Sequence, residues 1–303
     1  MSILALVFFA VPFLTLVGLV LLIAALVQRP VPAPSEAAAA ARRHAVGVNA
    51  AAWVIAPVVA LIGVQLLRTV WGNELYAGVA AGLLPALLGI VFLAVHAVGE
   101  RTWPRPTGPV RRALLSIRDT PRGPRWLRVL TWTWVGLLVA SLLVGGVTSS
   151  NGRAVTATYA PNAVQSTSPY PGWYYGVPLL LATLLIVAVT EGVLRLIGRR
   201  PAVVDADPAY DAASRRLSAH RALRGTQLVL ALTAAGVLSV MGAALGNLRD
   251  NGLSAVGNTL GGLAVLVSLI GMAAAVIPGQ PARTAAQPLP SPEAPAHTTD
   301  APA

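Results

Sequence analysis

At 303 residues the chain has room for two soluble domains, yet 55% of its residues are hydrophobic, 11% are charged and the mean hydropathy is +0.69. Those values exclude an ordinary soluble protein and point to helices in lipid. The formal charge of +11 comes from 22 arginines, with no lysine, against 11 acids, and the absence of cysteine excludes disulfides, thiolate catalysis and cysteine metal sites.

Seven apolar stretches divide the chain: residues 3–27, 46–67, 76–98, 129–148, 174–195, 227–247 and 253–277. Each is close to the roughly 20 residues that a spanning helix needs. The first has neither the positive start nor the small-residue cleavage site of a signal peptide, so it is expected to be a retained span. Ser35-Glu36-Ala37 is an N-cap signature before an alanine run, and Asp207-Pro208 is another, so the second and sixth spans are expected to begin well before their apolar stretches. Pro12, Pro57 and Pro85 lie inside the first three spans, where kinks are expected.

Arginines accumulate in alternate connections. Arg29, Arg42 and Arg43 lie between the first and second spans, a run of eight from Arg101 to Arg128 lies between the third and fourth, and Arg199, Arg200, Arg215, Arg216, Arg221 and Arg224 lie between the fifth and sixth. The other connections hold one each: Arg68, Arg153 and Arg249. The positive-inside rule puts the N-terminus outside and the rich connections and C-terminus in the cytoplasm. Trp71, Tyr76, Trp126, Trp132, Trp134 and Trp173 to Tyr175 fall at span ends, as interfacial aromatics do. The outer loop 148–173 is rich in Pro, Ser and Thr, and ordered loops of that length often carry function.

Within the eight-arginine connection, Val110, Ala113, Leu114 and Ile117 share a helical face with arginines elsewhere, the pattern of a helix lying on an anionic leaflet. Arg111, Arg112, Arg118, Arg122 and Arg125 are the candidate lipid contacts, alongside the simpler reading of a solvated loop that fixes orientation. From Pro278 onward the composition is that of a disordered tail. The expectation is an all-α polytopic bundle of about seven spans over residues 1–278, followed by a Pro/Ala-rich tail at 279–303.

An internal two-helix repeat is suggested by Arg29-Pro30, Arg105-Pro106 and Arg200-Pro201, and by the turns Gly72-Asn73, Asn151-Gly152 and Asn251-Gly252. Superimposing the second and third Arg-Pro pairs lays His96 on Glu191 and Glu100 on Arg195, so each span carries a titratable pair at i and i+4. Polar groups in a bilayer are costly, which makes His96, Glu100, Glu191 and Arg195 the candidate polar cluster. In a functional cluster Glu191 accepts a proton or cation, His96 is its titratable partner and Arg195 keeps Glu191 ionised. The opposing reading is structural, because the cluster lies near the inner interface, where Glu191 and Arg195 can neutralise one another. Small-residue pairs at spacing four, Gly78 and Gly82, Gly242 and Gly246, Gly257 and Gly261, are expected to bring helices close, within the chain or in a homo-oligomer.

Retinal chemistry and Walker-type phosphate loops need a lysine, and the helical His-Glu-x-x-His motif of metalloproteases is absent. A single His and a single Glu do not make a metal site. The expectation is therefore a non-enzymatic, cofactor-free component of a plasma (inner) membrane, in contact with anionic lipid, without nucleic acid, and acting with a membrane-protein partner or as a homo-oligomer. The alternative is a small-solute or proton-coupled transporter with its polar site near the inner ends of the third and fifth spans.

Overall fold

The computed structural model describes residue 33 and residues 35–71, 74–104, 123–161, 163–203 and 208–277. Outside them lie the first predicted span, the amphipathic segment with Arg111, Arg112, Arg118 and Arg122, the pairs Arg29-Pro30 and Arg105-Pro106, the turn Gly72-Asn73, Asp207 and the 279–303 tail. Among the described residues are six helices long and apolar enough to cross a membrane. They are α1 (Glu36–Trp71), α2 (Glu74–Arg101), α3 (Arg125–Thr148), α4 (Trp173–Arg199), α5 (Pro208–Gly246) and α6 (Asn251–Val276). The second to seventh predicted spans are therefore present.

Local signals explain where the helices begin. Ser35 Oγ accepts a hydrogen bond from Ala38 N at 3.1 Å, so α1 starts ten residues before its apolar stretch. Pro208 opens α5, which runs unbroken into its span. Asp250 caps α6 by accepting from Leu253 N at 2.9 Å, which makes Asn251-Gly252 the first turn of a helix. Asn151-Gly152 is built differently: Asn151 Oδ1 accepts from the N–H groups of Arg153 and Ala154, and Gly152 takes φ +74°.

The bundle is organised around α5, which packs against α2, α3, α4 and α6. Its apolar window is 72% buried, against 28–33% for the other five. The outward faces of the other helices carry large apolar side chains, such as Val54, Ile62, Leu181, Val265 and Leu269, suited to lipid. Buried Ser218, His220, Arg221, Arg224, Thr226, Gln227 and Thr233 all lie on α5. A helix surrounded by protein can carry polar groups that a lipid-facing helix cannot, because neighbouring helices supply partners. Gln227 is the clearest case: its Nε2 donates to Gly271 O at 2.9 Å and its Oε1 accepts from Trp134 Nε1 at 3.3 Å, which joins α3, α5 and α6.

Close helix approach follows the small residues. A Cβ on Gly242 would lie 2.7 Å from Gly257 O, and one on Gly257 would lie 2.6 Å from Gly242 O and collide with Gly246 N. The spacing-four glycines of the last two spans thus form the α5–α6 seam within one chain. Gly78 and Gly82 likewise face Tyr175 and Leu179 of α4.

At the arginine-poor end the 148–173 loop folds into an antiparallel hairpin, β1 (Val155–Ala160) and β2 (Ala163–Thr167), with Val155 opposite Thr167. Gln165 docks it on the α5–α6 connection, donating to Asn247 O at 2.8 Å and accepting from Arg249 N at 2.9 Å. Tyr170 is buried under the hairpin with Val155, Met241 and Leu245, and its hydroxyl pairs with Thr148 Oγ1 at 2.7 Å. That burial lifts the phenol above its ordinary pKa.

Candidate functional site

The chemistry-bearing residues gather at the arginine-rich end, where α2 and α4 finish and α1 and α5 begin. Arg200 closes α4, and its side chain is fully buried. Its Nη1 donates to Glu100 Oε2 at 3.4 Å and to Ser218 Oγ at 3.1 Å, and its Nη2 donates to Ser214 Oγ at 2.8 Å. The guanidinium lies 3.7 Å from the ring centroid of Trp103, a close cation–π stack. Burial pulls the Arg200 pKa down from its usual value, and the facing Glu100 carboxylate opposes that shift. An arginine remains protonated under such a shift, so Arg200 is the cation of this joint.

Arg215 reinforces this joint from about two turns inside α5. Its Nε donates to Asp211 Oδ2 at 2.7 Å, its Nη1 to Ile197 O and Gly198 O at 2.8 and 2.9 Å, and its Nη2 to Arg200 O at 2.9 Å. A cation thereby satisfies the orphan carbonyls at the C-terminus of α4, where the helix dipole favours positive charge. On the α1 side, Tyr210 donates to Ala38 O at 3.3 Å and Arg221 donates to Ala45 O at 3.3 Å. His44 Nε2 meets Gly99 O at 2.9 Å, which requires a proton on that nitrogen, and its ring meets Trp103 edge-on. Four helices are thus tied together by charged and polar side chains.

Between α1, α2 and α5 this joint borders a partly open cavity of about 10 Å³ lined by His44, Val48, His96, Glu100, Ser218 and Arg221, among others. His96 is 5% exposed and packs against Phe92, with 4.7 Å between ring centroids and the planes tilted by 58°. Its Nε2 has no hydrogen-bond partner among the described residues.

Of the sequence candidates, His96 and Glu100 belong to this joint. Glu191 and Arg195 do not. Glu191 Oε1 accepts from Arg128 Nη2 of α3 at 2.9 Å, beside a second cavity of about 10 Å³ with Arg128, Thr131, Trp132 and Thr190. Arg195 is exposed. The proposed one-turn Glu191–Arg195 neutralisation is thus replaced by a bridge between α3 and α4, because the Glu191 face of α4 turns toward α3. Arg125, the candidate lipid contact that falls within the described residues, is exposed at the start of α3. No group of three or more His, Asp or Glu among the described residues has the arrangement of a metal site.

Sequence reasoning missed Arg200, Arg221, Arg224, Ser214, Ser218 and Trp103. Arg200, Arg221 and Arg224 were counted as surface charge for orientation, yet all are buried. The available signal was the extension of α5: Pro208 to Gly246 is too long for one span, so its first turns had to pack on something. Trp134 is a parallel case, since it follows the outward-facing Trp132 by 200° around the helix and is buried on Gln227.

The fold and this joint define a polytopic membrane helix bundle. Comparison with family models, curated proteins and solved structures gave no match.

Proposed function

We propose that this chain is a non-enzymatic membrane component that acts through its bundle and its basic face, as a subunit or accessory protein of a plasma-membrane assembly. The observation that carries this reading is the use of the charges at the arginine-rich end. Glu100, Arg200, Asp211 and Arg215 are engaged in holding α2, α4 and α5 together. Arg43, Arg101, Arg125, Arg195, Arg199 and Arg216 are exposed around that joint. An inert core with a cationic rim suits docking on acidic protein surfaces or anionic headgroups. In native membranes the chain is expected in an assembly larger than itself, lost when Arg43, Arg195 and Arg199 are changed to Gln. A monomer in mild extracts of native membrane would overturn this reading.

The second reading is a small-solute or proton-coupled transporter, favoured by the cavity at His96 and Glu100. Because the chain has no cysteine, single cysteines at Ala45, Val48 and Val187 can be probed in sealed vesicles with an impermeant thiol reagent. Protection of all three supports the packed component. Reaction at Ala45 and Val48 from the arginine-rich side would mean an aqueous vestibule and put the transporter first.

A further inference from the structure

We infer that the cavity between α1, α2 and α5 is a binding site for one water molecule, held by His96 Nε2 and the Glu100 carboxylate. The inference rests on the packed-component reading, since an aqueous vestibule at Ala45 and Val48 would hold more than one water. It starts from an unmet demand: His96 Nε2 is buried without a partner, and an unsatisfied polar group costs about 1–3 kcal/mol in a protein interior. Evolution of a bundle in lipid has no reason to leave that cost, since a phenylalanine or leucine fills the same place beside Phe92.

The cavity supplies what is missing. His96 and Glu100 are one turn apart on the same face of α2, and both line it. Glu100 gives Oε2 to Arg200 and is also within hydrogen-bonding reach of Ser218, and a carboxylate with about four acceptor sites can still take a further donor. Arg221 of α5 and His44 of α1 line the same space, so a bound molecule meets polar groups from all three helices. A buried water needs two to four such groups.

Size decides the ligand. A volume of about 10 Å³ is at the lower bound for one water centre. It has no room for a phosphate, a carboxylate solute or a water pair. Charge agrees with size: the Glu100 carboxylate on the wall disfavours an anion, and Arg221 disfavours a cation. Water can donate to Glu100 and either donate to or accept from His96, so it fits whichever His96 tautomer is present. With it in place, a continuous polar chain runs from His96 through Glu100 and Arg200 to Ser214 on α5.

The test is water-edited solid-state NMR on full-length chain, labelled with ¹⁵N-histidine and reconstituted in lipid bilayers. The chain has four histidines, and the His220 ring, which meets Ile277 O at 3.1 Å, reports that α5 and α6 are folded together. A strong water cross-peak at His96 Nε2 is expected. It should persist in Glu100→Gln, whose side-chain carbonyl still accepts a hydrogen bond, and fall to background in Glu100→Leu with the His220 signal unmoved. Absence of the cross-peak in the unmodified chain, with a native His220 signal, would mean a dry cavity and overturn the inference. So would a cross-peak undiminished in folded Glu100→Leu.

Discussion

The α5–α6 seam makes a sharp prediction, because two glycines four residues apart on α6 face different surroundings. A Cβ on Gly257 would sit 2.6 Å from Gly242 O and 2.9 Å from Gly246 Cα, both backbone atoms of α5. Relaxed carbon contacts need about 3.5 Å, so the helices must part by roughly 1 Å, and such a gap forfeits about a quarter to a half of each dispersion contact along the seam. Overpacking of this kind costs about 1–3 kcal/mol. Alanine returns up to about 1 kcal/mol of helix propensity. A Cβ on Gly261 would meet nothing within 4 Å, so Gly261→Ala keeps the propensity gain without the clash. We expect Gly257→Ala to be less stable than Gly261→Ala by about 2 kcal/mol, the overpacking cost alone, because the propensity gain is common to both. Reversible unfolding in mixed micelles, followed by tryptophan fluorescence, measures the difference. Equal stabilities would refute the close-contact reasoning, as would a Gly257→Ala chain more stable than the parent.

Three further outcomes follow from the joint and the core. Removing one partner of a buried ion pair costs about 3–5 kcal/mol, so Glu100→Ala and Arg200→Ala are each expected to destabilise the bundle strongly, and the double variant by much less than their sum; additive losses would show that the two side chains do not act together. Gln227→Leu should leave Trp134 Nε1 unpaired and remove the second bond to Gly271 O, which keeps its helical partner, at about 1–2 kcal/mol for each interhelical bond, and should shift the Trp134 emission; unchanged stability and emission would contradict the bridge. Single cysteines at exposed Ser166 on β2 and exposed Ala202 after α4 should label from opposite faces of sealed vesicles, and same-side labelling would refute the alternation of the spans.

Much of the architecture was legible because the bilayer imposes a one-dimensional rule: a helix must satisfy its own backbone and offer lipid an apolar exterior over a set length. Chain order alone therefore located the second to seventh spans. Ser35 and Pro208 marked helix starts well ahead of the apolar stretches, as capping chemistry is local. The candidate site was legible only in part. Repeat spacing and depth along a helix singled out His96, Glu100, Glu191 and Arg195, but depth does not say which way a face turns. Tertiary packing separated them, turning His96 and Glu100 toward α5 and Glu191 toward Arg128 of α3.

The centrality of α5 was likewise decided by packing. Over its full length it is the most polar of the six helices, and a lipid-exposed place would have been ruinous for Gln227 and Arg224. Surrounding it with helices gave Gln227 the Trp134 indole and the Gly271 carbonyl as partners, 93 and 44 residues away, which no local signal connects. What this sequence determined by itself was the set of segments that cross the membrane and the end where its positive charge collects. Which of those charges meet water and which are locked into the bundle depended on side-chain contacts between helices distant in the chain, and only the assembled bundle decided that.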